Sequence, residues 1–221
     1  MKILVIGESV HFEECQKKFG ESHTYSWVEE HRDAEKFLDT NDLIFDFIID
    51  EEPYEIEVFQ NKAVTAFFNS CKISLSELAH SIGNNMAFTA FGFNGMPTLL
   101  NRTIFEVALW QAKDSEKLKQ ICESLNTEYL VVDDRVGLVT PRVICMIINE
   151  AYYTVQEGTA SREDIDNAMK LGTNYPYGPF EWCRRIGTRH VYELLEAMYE
   201  DTRDERYKIC PLLKKEYLQI S

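Results

Sequence analysis

The chain has 221 residues, 45% of them hydrophobic, and its 37 acidic against 23 basic side chains give a formal net charge of -14. That is enough apolar material for one large or two small cores, while the negative field excludes nucleic acid and anionic membranes as general partners, whose phosphates would be repelled. No run of about 18 apolar residues is present to span a bilayer, and the opening MKILVIGE lacks the basic-then-apolar pattern of a secretory leader. Cys15, Cys71, Cys122, Cys145, Cys183 and Cys210 are scattered without a C-x-x-C pair, so reduced thiols in a cytoplasmic setting are expected rather than disulfides or zinc.

In chain order, β-like runs at 2–6, 25–28, 43–49, 63–68, 86–93, 103–109 and 129–132 alternate with helix-like stretches at 12–19, 34–38, 74–82 and 115–125. This βαβ rhythm predicts a mostly parallel, covered sheet ending near Asp134. A strand that ends at Gly7 is where a dinucleotide-binding fold carries G-x-G-x-x-G, whose glycines let backbone approach a pyrophosphate above a helix N-terminus. Here the stretch reads Gly7-Glu8-Ser9-Val10-His11-Phe12, with only the first glycine in place. Glu29 or Glu30, about twenty residues on, suits a ribose acid; the competing reading is an ordinary strand-to-helix turn with surface glutamates.

Beyond Val136-Gly137, which break the chain, Val139, Val143, Ile144, Ile147, Ile148, Ala151 and Val155 recur at helical spacing and predict a long helix with these residues on its buried face. Gly158 stops it. Ser161 with Asp164 predicts a capped second helix, with Ile165, Ala168, Met169 and Leu171 inward and its end at Gly172; Tyr175 to Pro179 form a rigid turn opening a third. The acids Glu193, Glu196, Glu200 and Asp201, with apolar residues between them, read as a solvated helix face, and no metal site is expected. No P-loop, nucleophile elbow or His-Glu metal motif occurs.

The run from Asp134 to Arg142, then Asn149-Glu150-Ala151, Glu157-Gly158, Asp164 to Gly172 and Gly178-Pro179-Phe180, resembles the C-terminal domain of the 3-hydroxyacyl-CoA dehydrogenases, whose pattern is close to D-x-P-G-F-x-x-N-R, N-E-A, E-G, D-I-D-x-A-M-x-L-G and G-P-F. The resemblance implies α/β plus all-α architecture: a shortened Rossmann-like domain over 1–134, then a helical dimerisation and substrate domain over 135–221. It implies NAD as cofactor, an acyl-CoA substrate in fatty-acid metabolism and a homodimer through the helical domain. The family's base is a histidine paired with a glutamate, with a serine and an asparagine holding the oxygen.

Followed position by position, the family's N-T-S-S-L resembles Asn69-Ser70-Cys71-Lys72-Ile73, placing Cys71 where the serine stands; its H-F-F-N-P resembles the stretch from Phe91 to Pro97, with Gly92 at the histidine. Its L-V-E-V resembles Ile104-Phe105-Glu106-Val107, retaining Glu106, and Pro141 replaces the asparagine. The family's G-x-G-F-Y ending does not follow Lys215. The candidate catalytic residues are therefore Glu106 and Cys71, and the candidate cofactor residues are Gly7, Glu29 and Asn69. His80 reads as a surface or packing residue. Loss of a general base typically costs about 10²–10⁴ in rate. The expectation is a family member whose ordinary dehydrogenase activity is lost or changed; the alternative is a non-catalytic dimeric protein that binds an acyl group, a small ligand or a protein.

Overall fold

The structure is a computed structural model that describes residues 1–84 and 86–220. It divides into two compact units, Met1–Leu138 and Val139–Ser221.

The first unit is built on a seven-stranded sheet in the order β2-β1-β3-β4-β5-β6-β7. The strands are β1 (Lys2–Ile6), β2 (Thr24–Val28), β3 (Leu43–Asp46), β4 (Thr65–Asn69), β5 (Thr89–Phe93), β6 (Ile104–Leu109) and β7 (Glu128–Val132). The first five run parallel; β6 is antiparallel to β5, and β7 is parallel to β6. Ile3 to Ile6, Leu43 to Asp46 and Thr65 to Asn69 are buried without alternation, as expected of central parallel strands covered on both faces. The covering helices are α1 (Ser9–Phe19), α2 (His31–Leu38), α3 (Leu75–Ser81) and α4 (Ser115–Ser124).

Phenylalanines from successive strands form the core. Phe45 stacks on Phe67 at 4.8 Å and meets Phe93 edge-on at 5.6 Å, while Phe19 reaches in from α1 to within 5.0 Å of Phe45. Such ring pairs add about 0.5–1.5 kcal/mol each beyond their buried area. β3 ends at Asp46, earlier than its apolar run suggests, because the Asp46 carboxylate accepts the Ile48 amide at 3.1 Å and turns the chain. β1 lies between β2 and β3, so the order reverses there; in open α/β sheets, ligands bind outside the carboxyl ends of the strands at such a point.

The second unit is helical: α5 (Thr140–Gln156), α6 (Arg162–Thr173), α7 (Pro179–Ile186), α8 (Thr188–Thr202) and α9 (Pro211–Ile220). Ser161 caps α6 by accepting the Asp164 amide at 3.2 Å. The helix passes through Gly172 and ends one residue later, where Asn174 adopts the left-handed conformation that closes helices. The buried face of α5 differs from the predicted one. Ile144, Cys145, Ile148, Ala151 and Tyr152 point inward, whereas Val139 and Val143 are 49% and 51% exposed and Ile147 is half-buried. Val143 and Ile147 line an open, mostly apolar groove of about 510 Å³ with Met146, Ile165 and Met169. The spacing carries two adjacent apolar stripes, and only one is needed inside a single chain.

Candidate functional site

The side chains of interest collect at the carboxyl edge of the sheet in the first unit. Cys71 sits just past β4, fully buried, and its thiol donates to Asn94 Oδ1 at 3.5 Å. Asn94, just past β5, donates through Nδ2 to Glu106 Oε2 on β6 at 3.5 Å, and its Oδ1 also accepts the Met96 amide at 3.3 Å. Cys71, Asn94 and Glu106 thus form one buried chain of contacts. Burial, helped by the nearby Asp50 and Glu106 carboxylates, holds the Cys71 thiol well above its usual range, so it is a neutral donor and not a thiolate nucleophile.

The residue facing Glu106 in this structure is Asn94, not Gly92. The antiparallel register pairs Gly92 with Ala108 and Phe93 with Val107, so the following residue, Asn94, falls opposite Glu106. Gly92 serves packing instead: a Cβ there would lie 2.4 Å from Ser70 Oγ and 3.3 Å from the Ala108 Cβ. The cavity beside Asn94 and Glu106 measures about 10 Å³ and is walled by Leu99 and Leu100, which is about the space one water needs. Residues 96–103 hold it shut, with the Thr98 amide donating to Glu14 of α1 at 2.5 Å and Lys18 donating to the Arg102 carbonyl at 2.5 Å.

The segment leading out of β7 braces this edge. Asp134 accepts the Leu75 and Ser76 amides at 2.7 and 2.9 Å, closing the start of α3, and the Gly137 amide donates to the Cys71 carbonyl at 2.7 Å. Asn69 is fully used in joining strands: its Nδ2 donates to the Phe47 carbonyl and to Asp50, both at 3.0 Å, while its Oδ1 accepts the Gly95 amide at 3.1 Å. Burial raises the Asp50 carboxyl to about 7 despite nearby Lys72.

At the other end of the edge, Gly7 keeps the strained φ of +140°, but its turn is filled. A Cβ on Gly7 would lie 2.6 Å from His11 Nδ1, and the His11 ring stacks on Phe47 at 4.7 Å. Ser9 and Phe12 stand at the other two fingerprint positions, and Phe12 stacks on Trp27 at 5.6 Å. Glu29 is exposed just beyond β2, and its neighbour Glu30 pairs with Arg32 at 2.6 Å. A nicotinamide dinucleotide needs an open turn for its pyrophosphate, and the residues of this turn do not fit one. Pro141 occupies the first turn of α5, where it lacks both a side-chain amide and a backbone donor.

A further polar group was not anticipated from the sequence. His31, at the start of α2, bonds the buried Asp46 through Nε2 at 2.8 Å and Glu52 through Nδ1 at 3.2 Å. Burial opposes its charge, but the two carboxylates prevail and raise its pKa. The available signal was an aspartate inside the apolar run Leu43-Ile44-Phe45-Asp46-Phe47, since a buried carboxylate requires a partner.

A mostly parallel sheet with a switch point beside β1, followed in sequence by a helical unit, defines a Rossmann-like plus helical class. Residues 137–219 match the 3-hydroxyacyl-CoA dehydrogenase C-terminal domain. The chain is 44% identical over 89 residues to the 3-hydroxyadipyl-CoA dehydrogenase of Escherichia coli, covering 40% of this chain and 19% of that protein. It is 29% identical over 194 residues to a 3-hydroxybutyryl-CoA dehydrogenase of Bradyrhizobium diazoefficiens, covering 82% of this chain and 65% of that one. Its fold matches the crystal structure of the (S)-3-hydroxybutyryl-CoA dehydrogenase of Ralstonia eutropha with a TM-score of 0.72 at 17% identity, over 99% of this chain and 93% of that one. The chain thus resembles the 3-hydroxyacyl-CoA dehydrogenases, the match to that family's C-terminal domain falling on residues 137–219, and spans less than two thirds of the length of the two curated relatives.

Proposed function

We propose that this protein is a cytoplasmic member of the family, acting in acyl-CoA metabolism as a homodimer, that does not carry out ordinary nicotinamide-linked hydride transfer. The observation that carries the reading is Asn94 opposite Glu106. Moving a hydride to or from C3 of a hydroxyacyl chain requires a proton to move at the neighbouring oxygen. A histidine steadied by a carboxylate does this near neutral pH. A carboxamide accepts a hydrogen bond but takes up no proton there, and here its oxygen is already engaged by Cys71 and the Met96 amide. The small closed cavity and Pro141 in place of the family's asparagine support the same reading. Cys71 and Glu106 remain as a polar remnant and Asn69 as a strand joint.

The test is the initial rate of NADH oxidation with acetoacetyl-CoA, beside a relative that keeps the histidine. The expected rate is lower by at least about 10²-fold, the smaller end of what general-base loss costs; comparable rates would overturn the reading. Self-association is supported by the apolar groove along α5. Light scattering on the purified chain is expected to give twice the monomer mass, and Ile147→Asp to give the monomer with its helical content intact. Unchanged dimer mass in that variant would place the contact elsewhere.

A further inference from the structure

We infer that the turn after β1 is a self-capped joint: the chain's own Glu8, His11 and Phe12 occupy the space and interactions that an ADP-ribose pyrophosphate would need, so no dinucleotide binds there. The inference deepens the preceding reading by naming the ligand class the first unit excludes.

A pyrophosphate site at this place in the fold requires open space over the first glycine, a second glycine for close backbone approach, a third for helix packing and a helix N-terminus free to face an anion. Each requirement is answered within the chain. Space above Gly7 is taken by the His11 ring, held between a stacking contact with Phe47 and a hydrogen bond from the Glu8 amide to its Nδ1 at 3.1 Å. Ser9 puts a side chain at the second position. At the third, Phe12 fills the helix-to-strand gap against Trp27, whose Nε1 donates back to the Gly7 carbonyl at 2.7 Å and ties β2 to the turn.

The helix N-terminus is also supplied with its own anion. Glu8 is the N-cap residue of α1; it is exposed, its backbone carbonyl accepts the His11 amide at 3.0 Å, and it adds a negative charge at the end of the helix that a phosphate would approach. Gly7 is still required, because the backbone there keeps φ at +140° and any Cβ would strike the His11 ring. The glycine is thus retained for packing against an imidazole rather than for a nucleotide.

The experiment is a two-dimensional amide NMR titration of the full-length protein with NADH and, separately, ADP-ribose, together with the melting temperature of His11→Ala. The inference expects no saturable shift of the residue 7–12 amides at millimolar ligand, and a fall in Tm of about 3 °C or more in the variant, as loss of a packed, hydrogen-bonded ring implies for a chain of this size. Saturable shifts across those amides with either ligand, or a variant as stable as the parent, would overturn it. Shifts at the turn without turnover of acetoacetyl-CoA would sink this inference alone. Turnover would instead sink the function proposed above.

Discussion

Asn94 is brought beside Glu106 by strand pairing and not by any local sequence signal. The stretch Phe91 to Pro97 has glycine, phenylalanine and asparagine in close succession, and linear comparison alone put Gly92 at the base. Cross-strand register instead brings the residue after Phe93 alongside Glu106, where the Asn94 amide donates to its carboxylate at 3.5 Å. Glu106→Ala would leave the buried Asn94 amide without this acceptor and is expected to cost about 1–3 kcal/mol, measured by urea unfolding; no loss would show that the contact is incidental. His31 makes a pH-dependent prediction. Its folded pKa is raised above the unfolded value of about 6.5, so its contribution is fully present below that value and is lost as pH rises through the folded pKa. The stability difference between the parent and His31→Gln should therefore shrink on going from pH 5.5 to more alkaline solution. A difference independent of pH would contradict a charged His31.

At the scale of elements, the motifs most legible in the sequence are joints between helices. Asp166 on α6 accepts the Phe180 amide at 2.8 Å, which closes the start of α7. A Cβ on Gly178 would come within 2.3 Å of that carboxylate, although its φ of -74° suits any residue. The linked D-I-D and G-P-F patterns therefore record a close approach, and Gly178→Ala is expected to destabilise the chain by about 1–3 kcal/mol through overpacking. A variant with the parent's unfolding midpoint would refute that reason. Asn149 is a comparable joint, since its side chain accepts the Cys210 amide and donates to the Lys208 carbonyl, both at 2.9 Å. Helical periodicity also revealed α5 and its apolar character. It could not divide that character between inside and outside, because Val139, Val143 and Ile147 follow the same spacing as the buried Ile144 and Ile148. Accordingly Ile144→Asp is expected to abolish folding and Ile147→Asp to be tolerated by the isolated chain; a circular-dichroism melt distinguishes them.

Across the whole molecule, the βαβ rhythm and the helical half were legible because burial on both sheet faces and along helix stripes imposes periods on the sequence. The arrangement at the carboxyl edge of the sheet was less legible. It depends on contacts between residues far apart in the chain, such as His31 with Asp46, Thr98 with Glu14, and the Cys71 carbonyl with Gly137. The proposed function rests on a scaffold like that of the solved relatives, in which the turn after β1 and the cavity beside Glu106 leave little room. The measurement that tests this most directly uses NADH carrying deuterium at both C4 positions, incubated with acetoacetyl-CoA and stoichiometric protein. Hydride transfer would place deuterium on C3 of 3-hydroxybutyryl-CoA, which mass spectrometry detects even for a single slow turnover. No deuterated product above the protein-free control is expected. Deuterated product in proportion to protein would contradict it.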